Sequence, residues 1–237
     1  MKVISKSRFK LGLECPNKLF YTRKDEYVNK KNNDPFLMAL ASGGFQIEEY
    51  ARMHYPAGIL VDGDYRTTTY EDYVAQTNEL LVRDNVVIFE AAFLVDDLFI
   101  RADILVKEGN NIKLIEVKSK SYDPNDENVF VGVQGGIVGA WKPYLFDIAF
   151  QKHVVEKCLP NAMITPYLFL ADKTKMASVD GLNQMFRVTK GGDERTGVEK
   201  INDDFWSMGD SVMFMKDMSQ VVRDIMDDKH KYYPNLG

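Results

Sequence analysis

Asp103, Glu116 and Lys118 are the residues of this chain whose types and spacing could do chemistry together. The two carboxylates lie in consecutive apolar runs, which Gly109-Asn110 separates. Gly and Asn tolerate positive φ and therefore favour a two-residue hairpin turn. With that turn, Asp103 lies opposite Glu116, and Lys118 projects from the same face because it follows Glu116 by two residues.

Two opposed carboxylates require a counter-charge. Like charges directly opposite each other, roughly 5 Å apart at Cβ, destabilise a sheet unless something compensates them. A divalent cation is the obvious compensation, because Mg²⁺ and Mn²⁺ bind hard oxygen ligands. Such a metal polarises a phosphate and acidifies a water molecule, while a lysine stabilises developing charge or orients the nucleophile. The group therefore indicates metal-assisted hydrolysis of a phosphodiester.

Glu90 extends this row of carboxylates on the preceding predicted strand. That strand ends at the polar pair Asp96-Asp97, and with this pair as the turn, Glu90 faces Asp103. A slip of one residue would turn every one of these side chains to the opposite face. The alternative is an ordinary solvated charged face, but both faces are rather apolar, which is typical of a sheet that helices cover. We therefore predict three carboxylates on one buried face.

The elements that must position these residues are helices and strands in mixed order. Four capping signals predict helix starts at Ser5 or Ser7, at Asp34-Pro35, at Thr68 with Glu71, and near Pro143. Besides the three strands above, we predict strands at 58–61 and 164–170 and an edge strand at 186–189. The segment after Gly192 is expected to be helical. This order indicates an α/β fold with a mixed central sheet flanked by helices.

Length and composition predict one globular domain. The chain has 237 residues, enough for a single core. We expect one domain over 1–237, with its core at about 34–172, a basic helical segment at 1–31 and a helical region at about 193–237. The sequence lacks an apolar run of membrane-spanning length and a signal-peptide pattern, which predicts a cytoplasmic protein without a membrane partner. Two cysteines and three histidines give no zinc or disulfide framework.

Charge is unevenly distributed along the chain. The net charge is −5, yet residues 1–31 carry nine basic residues against three acidic ones. This segment is either a phosphate-binding surface or, as is commoner for such runs, a solvated helical face. Motifs of other enzyme classes are missing: the sequence contains neither a Gly-x-Ser-x-Gly nucleophile elbow nor a P-loop nor a dinucleotide-binding Gly-x-Gly-x-x-Gly.

The amino-acid sequence of the three predicted strands resembles that of a known enzyme family. The segments 88–93, 101–105 and 114–119, with the pattern Asp103 followed by Glu116-Val117-Lys118, are similar to the PD-(D/E)XK nuclease superfamily and in particular to RecB-like and CRISPR-associated exonucleases. The resemblance implies a restriction-endonuclease-like core. It also implies that Asp103 and Glu116 bind Mg²⁺ or Mn²⁺, that Lys118 is catalytic, and that Glu90 is a supporting residue.

Two helices carry further parts of this resemblance. The sequence from Asp147 to Gln151 resembles the RecB glutamine motif, which implies that Gln151 orients the site or binds substrate; Asp147 shares its helix face at i, i+4. The tyrosine often found shortly after that glutamine is absent. The segment 44–52 resembles the motif that supplies a metal-binding His or Glu. The helical phase favours Glu48 as the metal ligand, because it places Glu48 near the centre of the inward face. The motif Glu-x-Ala-Arg instead favours Glu49, so both remain candidate metal ligands.

Cys15 lies in a segment, 7–21, that is similar to the N-terminal part of iron–sulfur members of this group. In those members the other three cluster cysteines come from a C-terminal run. This sequence contains no such run. Either the chain continues past Gly237 in a longer protein, where the resemblance implies a cluster with Cys15 as a ligand, or the cluster is lost.

The leading hypothesis from the sequence is a metal-dependent nuclease that hydrolyses DNA, as a RecB-like exonuclease acting on a single strand or a duplex end. The main alternative is a catalytically inactive nucleic-acid-binding or scaffold module of a larger repair or defence protein. A third option is an unrelated α/β domain with structural acidic residues. The sequence does not indicate a protein partner.

Overall fold

The fold is α/β, with a mixed central sheet between helices. A computed structural model describes residues 3–22, 24, 26–27, 34–64, 66–190, 196–202 and 205–227. The α-helices of this part are α1 (Lys6–Glu14), α2 (Pro16–Tyr21), α3 (Pro35–Met53), α4 (Tyr70–Leu81), α5 (Lys142–Cys158) and α6 (Ser219–Met226). The strands are β1 (Ile4–Ser5), β2 (Ile59–Leu60), β3 (Asn85–Val95), β4 (Leu98–Glu108), β5 (Asn111–Tyr122), β6 (Met163–Asp172), β7 (Phe186–Lys190), β8 (Thr196–Lys200) and β9 (Met213–Asp217).

Seven of these strands form the central sheet of the described chain, in the order β2-β3-β4-β5-β6-β9 with β1 paired to β4. The hairpins β3-β4 and β4-β5 are antiparallel, and β5 pairs with β6 in parallel. A parallel pair needs a long crossover, which α5 provides. The strands β7 and β8 form a separate antiparallel pair.

The two hairpin turns confirm the predicted register. Val95 pairs with Leu98, and Glu108 pairs with Asn111. Between the turns, however, Glu90 has a φ of 57° and is left out of the β3-β4 ladder. The pairs on either side, Phe89 with Ile104 and Ala91 with Ala102, keep the same register. The left-handed conformation costs a non-glycine residue roughly 1–2 kcal/mol.

Two hydrophobic clusters cover the sheet. One joins it to α4, α5 and α6, and the other joins it to α3 and β7. Among the described helices, none combines the length and the apolar character that crossing a membrane requires.

Two secondary-structure predictions are wrong. The third helix is capped one residue later than predicted, with Thr69 and Asp72 as the capping box instead of Thr68 and Glu71. The region after Gly192 is not helical throughout, because β8 and β9 precede α6. The alternating burial of 213–217 reflects antiparallel pairing with β6, a tertiary contact that determines the structure of this segment. Predictions for 1–2, 28–31 and 228–237 fall outside the described residues.

The edge strand predicted at 186–189 forms as β7, but its partner is β8 rather than the central sheet. The predicted starts of the other helices agree with the structure: Ser5 caps α1, Asp34 caps α3, and α5 begins beside Pro143.

Candidate functional site

The candidate site lies where the pairing between β4 and β5 ends. The ladder of these strands stops at Ile104 and Ile115, one step before Asp103 and Glu116. Asp103 replaces the missing ladder bond, because its Oδ2 accepts a hydrogen bond of 2.8 Å from the backbone N–H of Val117. The two strands therefore separate at the two carboxylates, and Asp103 is held beside the strand that carries Glu116.

Lys6 occupies the space between these two carboxylates. Its Nζ lies 3.2 Å from Oδ1 of Asp103 and 3.0 Å from Oε2 of Glu116. The strand β1 determines the position of Lys6. One edge of β4 pairs with β3, and β1 pairs with Leu98 and Phe99 on the opposite edge, beyond the end of the β4-β5 pairing. Lys6 follows β1 directly as the first residue of α1. An ammonium group is thus the cation that Asp103 and Glu116 share in this structure.

Glu116 also contacts the residues predicted on α5. Gln151 Nε2 donates to Glu116 Oε2 at 2.7 Å and to Asp147 Oδ1 at 3.3 Å. Lys118 Nζ forms an ion pair with Glu116 and lies 3.9 Å from Asp147 Oδ2. Glu116, Asp147 and Gln151 are fully buried. The structure therefore brings five predicted site residues together, Asp103 among them.

Gln151 leaves one polar atom unused. Its Oε1 is buried and has no hydrogen-bond partner among the described residues. A buried acceptor without a partner costs roughly 1–3 kcal/mol. A buried unsatisfied group of this kind needs an explanation, and a bound ion is one; this carbonyl oxygen can take a donor or a cation.

Burial and neighbouring charges shift the pKa values of the cluster in opposite directions. Burial alone would raise the pKa of Glu116, but the ammonium groups of Lys118 and Lys6 hold it well below its usual range. Burial raises the pKa of Asp147 to about 6, and the Glu116 charge adds to this effect. The pKa of Asp103 is raised by burial and by Glu116. Although burial opposes the charged form of Lys118, Glu116 and Asp103 raise its pKa, so it stays an ammonium.

The two glutamates of α3 lie in different surroundings. Glu48 faces Asp103 and Glu90: burial, first, and then these two carboxylates raise the pKa of Glu48 to about 8, although Arg52 opposes the shift. Glu49 instead lies 3.3 Å from Lys200 Nζ of β8. Of the two candidate ligands, Glu48 is therefore the one placed beside the Asp103 carboxylate.

Glu90 is held by two arginines. Its carboxylate oxygens lie 3.0 Å from Arg52 Nη2 and 3.2 Å from Arg101 Nε. Arg52 also forms an ion pair with Glu48. Glu90 thus holds Arg52, the arginine that pairs with Glu48 of α3. Its carboxylate contacts these two arginines and not Asp103 or Glu116.

The raised pKa of Glu48 predicts a pH-dependent stability of the metal-free protein. A carboxyl group whose pKa is raised on folding stabilises the fold while protonated, and this contribution is lost as the pH rises through the folded-state value. With a chelator present, we expect the Tm to decrease from about pH 5 to about pH 8. The Glu48→Gln variant should reduce this decrease in differential scanning calorimetry, and the raised pKa values of Asp147 and Asp103 account for the part that remains. If Glu49→Gln flattens it equally, the assignment to Glu48 is wrong.

The donor atoms fit a hard divalent cation. In the described part of the chain, no three His, Cys, Asp or Glu side chains are grouped closely enough to hold a metal. Asp103 and Glu116 nevertheless both reach a single cation, Lys6 Nζ, within 3.2 Å. Carboxylate oxygens and the unpartnered Gln151 Oε1 are the donor types that Mg²⁺ and Mn²⁺ take.

Cys15 lies between α1 and α2, where it is half-buried. In the described structure it forms no disulfide with Cys158. Cys158 is the last residue of α5, and its Sγ contacts the backbone carbonyl of Leu94 in β3. The iron–sulfur cluster implied for a longer chain stays a prediction.

Sequence reasoning predicted Lys118 but missed the other cations of the site. Lys6 and Lys10 of α1 contact the acidic cluster, the latter at 3.2 Å from Asp147 Oδ2. Their i, i+4 spacing indicates a shared helix face, but no local pattern shows what that face contacts. The sequence analysis included Arg52 only as the last residue of the motif Glu-x-Ala-Arg and predicted no contact for it.

Known protein families and curated proteins give no match to this chain in sequence comparison. The functional assignment therefore depends on the residues and contacts described above.

Proposed function

We propose that this protein is a metal-dependent nuclease of the PD-(D/E)XK type that hydrolyses phosphodiester bonds of DNA, with RecB-like exonucleases as its relatives. The observation that supports this most is the convergence of Asp103 and Glu116 on one cation position, with Lys118 paired to Glu116. A restriction-endonuclease-like core is the corresponding fold. It is supported by a mixed sheet in which a helix crosses from β5 to a parallel β6.

Asp103 and Glu116, with Glu48 facing Asp103, would hold Mg²⁺ or Mn²⁺. When bound, the metal would polarise a phosphate oxygen and acidify a water molecule. Gln151 orients Glu116 through its Nε2 donor. Lys118 remains protonated and supplies positive charge where negative charge develops on the phosphate.

The basic N-terminal segment supports an anionic substrate. Through Lys6 and Lys10, α1 contacts the carboxylate cluster directly, so the basic residues of this helix lie next to the site. Near the end of α2, the ring of Phe20 is largely exposed and lies 3.4 Å from Lys24 Nζ. Exposed aromatic rings next to cations are typical of surfaces on which unpaired bases stack. A single-stranded DNA end is therefore the substrate that we favour.

One observation favours the inactive alternative. Each carboxylate discussed above already contacts a cationic side chain, and Lys6 fills the position between the two proposed metal ligands. A nucleic-acid-binding or scaffold module that keeps the fold without the reaction would show such a self-neutralised cluster.

A cleavage assay distinguishes these functions. Purified protein is incubated with end-labelled single-stranded DNA, duplex DNA and single-stranded RNA in Mn²⁺, in Mg²⁺ and in a chelator. We expect metal-dependent cleavage of DNA that stops with the chelator. Binding of DNA without cleavage in either metal would contradict the nuclease and support the scaffold module. Neither binding nor cleavage would support an unrelated α/β domain.

A further inference from the structure

Lys6 is the most completely coordinated cation of the acidic cluster. Its Nζ donates to four oxygen atoms: both carboxylate oxygens of Glu116 at 3.0 and 3.2 Å, Asp103 Oδ1 at 3.2 Å and the carbonyl of Arg101 at 3.4 Å. Its side chain is only 22 % exposed. Oxygen atoms of carboxylates and a backbone carbonyl are the donors that a hard metal ion uses, so the ammonium occupies a position with the chemistry of a metal site.

The start of α1 is tied to the core at several points. The β1 residues pair with β4, and Ser5 caps the helix through the backbone N–H of Arg8. One turn further, Lys10 contacts Asp147, and the ring of Phe9 stacks on Phe150 at 4.3 Å between centroids. These contacts hold the backbone of Lys6 in place, so its ammonium can leave the two carboxylates only by movement of its side chain.

Charge balance shows which group must leave when a metal binds. Within the described structure, Asp103, Glu116 and Asp147 are balanced by the ammonium groups of Lys6, Lys10 and Lys118. A divalent cation would add two positive charges to a buried cluster that is already neutral, which is unfavourable unless an ammonium group departs. Lys6 is the one that contacts both proposed metal ligands, whereas Lys10 contacts Asp147.

We propose that Lys6 is an internal cation that competes with the metal: its ammonium holds Asp103 and Glu116 together in the metal-free protein, and metal binding displaces it. This inference rests on the proposed function, because it takes Asp103 and Glu116 as metal ligands. Metal binding and the release of the Lys6 ammonium from the two carboxylates are then linked in one equilibrium, and each changes the other by the same factor.

Metal affinity of a lysine variant tests the competition. Mn²⁺ binding is measured by isothermal titration calorimetry, and by electron paramagnetic resonance of free Mn²⁺, for the wild type, Lys6→Met and the control Lys18→Met. Lys18 lies on α2, is exposed and pairs with Glu14. We expect Lys6→Met to bind Mn²⁺ more tightly, by roughly 5- to 150-fold, and Lys18→Met to bind like the wild type. Equal or weaker binding by Lys6→Met would overturn the inference.

A second measurement uses the wild-type protein, so it holds even if Lys6→Met does not fold. Lysine side chains are acetylated under limiting reagent and the sites are quantified by mass spectrometry. We expect Lys6 to react slowly in a chelator and at least about tenfold faster in saturating Mn²⁺, in line with the usual size of such coupling, while Lys18 reacts alike in both. Unchanged reactivity of Lys6 with Mn²⁺ bound would contradict displacement.

These outcomes separate the inference from the proposed function. Wild-type protein that binds Mn²⁺ and cleaves DNA, with Lys6 protected throughout, would overturn the competition and leave the nuclease assignment intact. Absence of Mn²⁺ binding in both the wild type and Lys6→Met would overturn the competition together with the metal-dependent function.

Discussion

Asp103→Asn is expected to reduce metal-dependent DNA cleavage by at least about a thousandfold, because loss of several kcal/mol of metal-based charge stabilisation has this effect on a rate. The substitution keeps the shape of the side chain, and the amide oxygen can still accept the hydrogen bond of the Val117 N–H. What it removes is the negative charge that Asp103 shares with Glu116 over a single cation. The initial rate on end-labelled single-stranded DNA at saturating Mn²⁺ measures the effect.

Glu108→Gln is the matched control for this variant. Glu108 lies on the same strand, at the hairpin end, where it is exposed and pairs with Lys113. It should cleave DNA like the wild type. Thermal unfolding and Mn²⁺ binding accompany both rates, so that a folding defect is recognised. An Asp103→Asn protein that is folded and retains cleavage within about tenfold of the wild type would contradict the role of Asp103, since such a loss is only about 1.4 kcal/mol.

Much of the site could be predicted because its placement is local. The turn at Gly109-Asn110 sets the register of one hairpin, which places Asp103 next to Glu116. The two-residue period of a strand then brings Lys118 to Glu116, and the i, i+4 spacing of a helix brings Asp147 to Gln151. Each of these relations spans a few residues, and the local chemistry of turn, strand or helix determines it.

The remaining features depend on contacts between distant segments. Lys6 lies 110 positions before Glu116, and it reaches the carboxylate only because β1 pairs with β4 where β5 leaves. The choice between Glu48 and Glu49 depends on how α3 is rotated against the sheet, which two competing sequence signals leave open. The prediction of a helical C-terminal region is wrong at β9, because pairing with the distant strand β6 determines its structure.

The cations that sequence reasoning missed change how the acidic row is understood. Opposed carboxylates in a sheet require compensation, and the chain itself provides it with Lys6 and Lys118 at Glu116. Arg52 and Arg101 compensate Glu90 in the same way. A metal is therefore not needed to explain why the fold tolerates these charges. The unpartnered Gln151 Oε1 and the left-handed Glu90 are the features that structural compensation alone does not account for.

The Lys118→Met variant separates charge stabilisation from metal binding. Lys118 forms an ion pair with Glu116, but its ammonium group cannot itself bind a metal. Its removal should therefore leave the Mn²⁺ affinity equal to or higher than that of the wild type. Cleavage should nevertheless fall by about 10²- to 10³-fold, the usual effect of removing one preorganised charge from a transition state. Because neighbouring carboxylates raise the pKa of Lys118, it acts as a fixed positive charge and not as a base.

This role predicts a loss that does not vary with pH. The ratio of wild-type to Lys118→Met rates should stay constant between about pH 6 and pH 9, where an unperturbed lysine is also protonated. Lys113→Met, on the same strand and paired with exposed Glu108, is the control and should cleave DNA like the wild type. A rate ratio that rises steeply with pH would show that Lys118 accepts a proton. Loss of Mn²⁺ affinity in Lys118→Met would show instead that the ammonium positions Glu116 for metal binding. Lys118 would then contribute to metal binding, as Asp103 does, and would have no separate role in charge stabilisation.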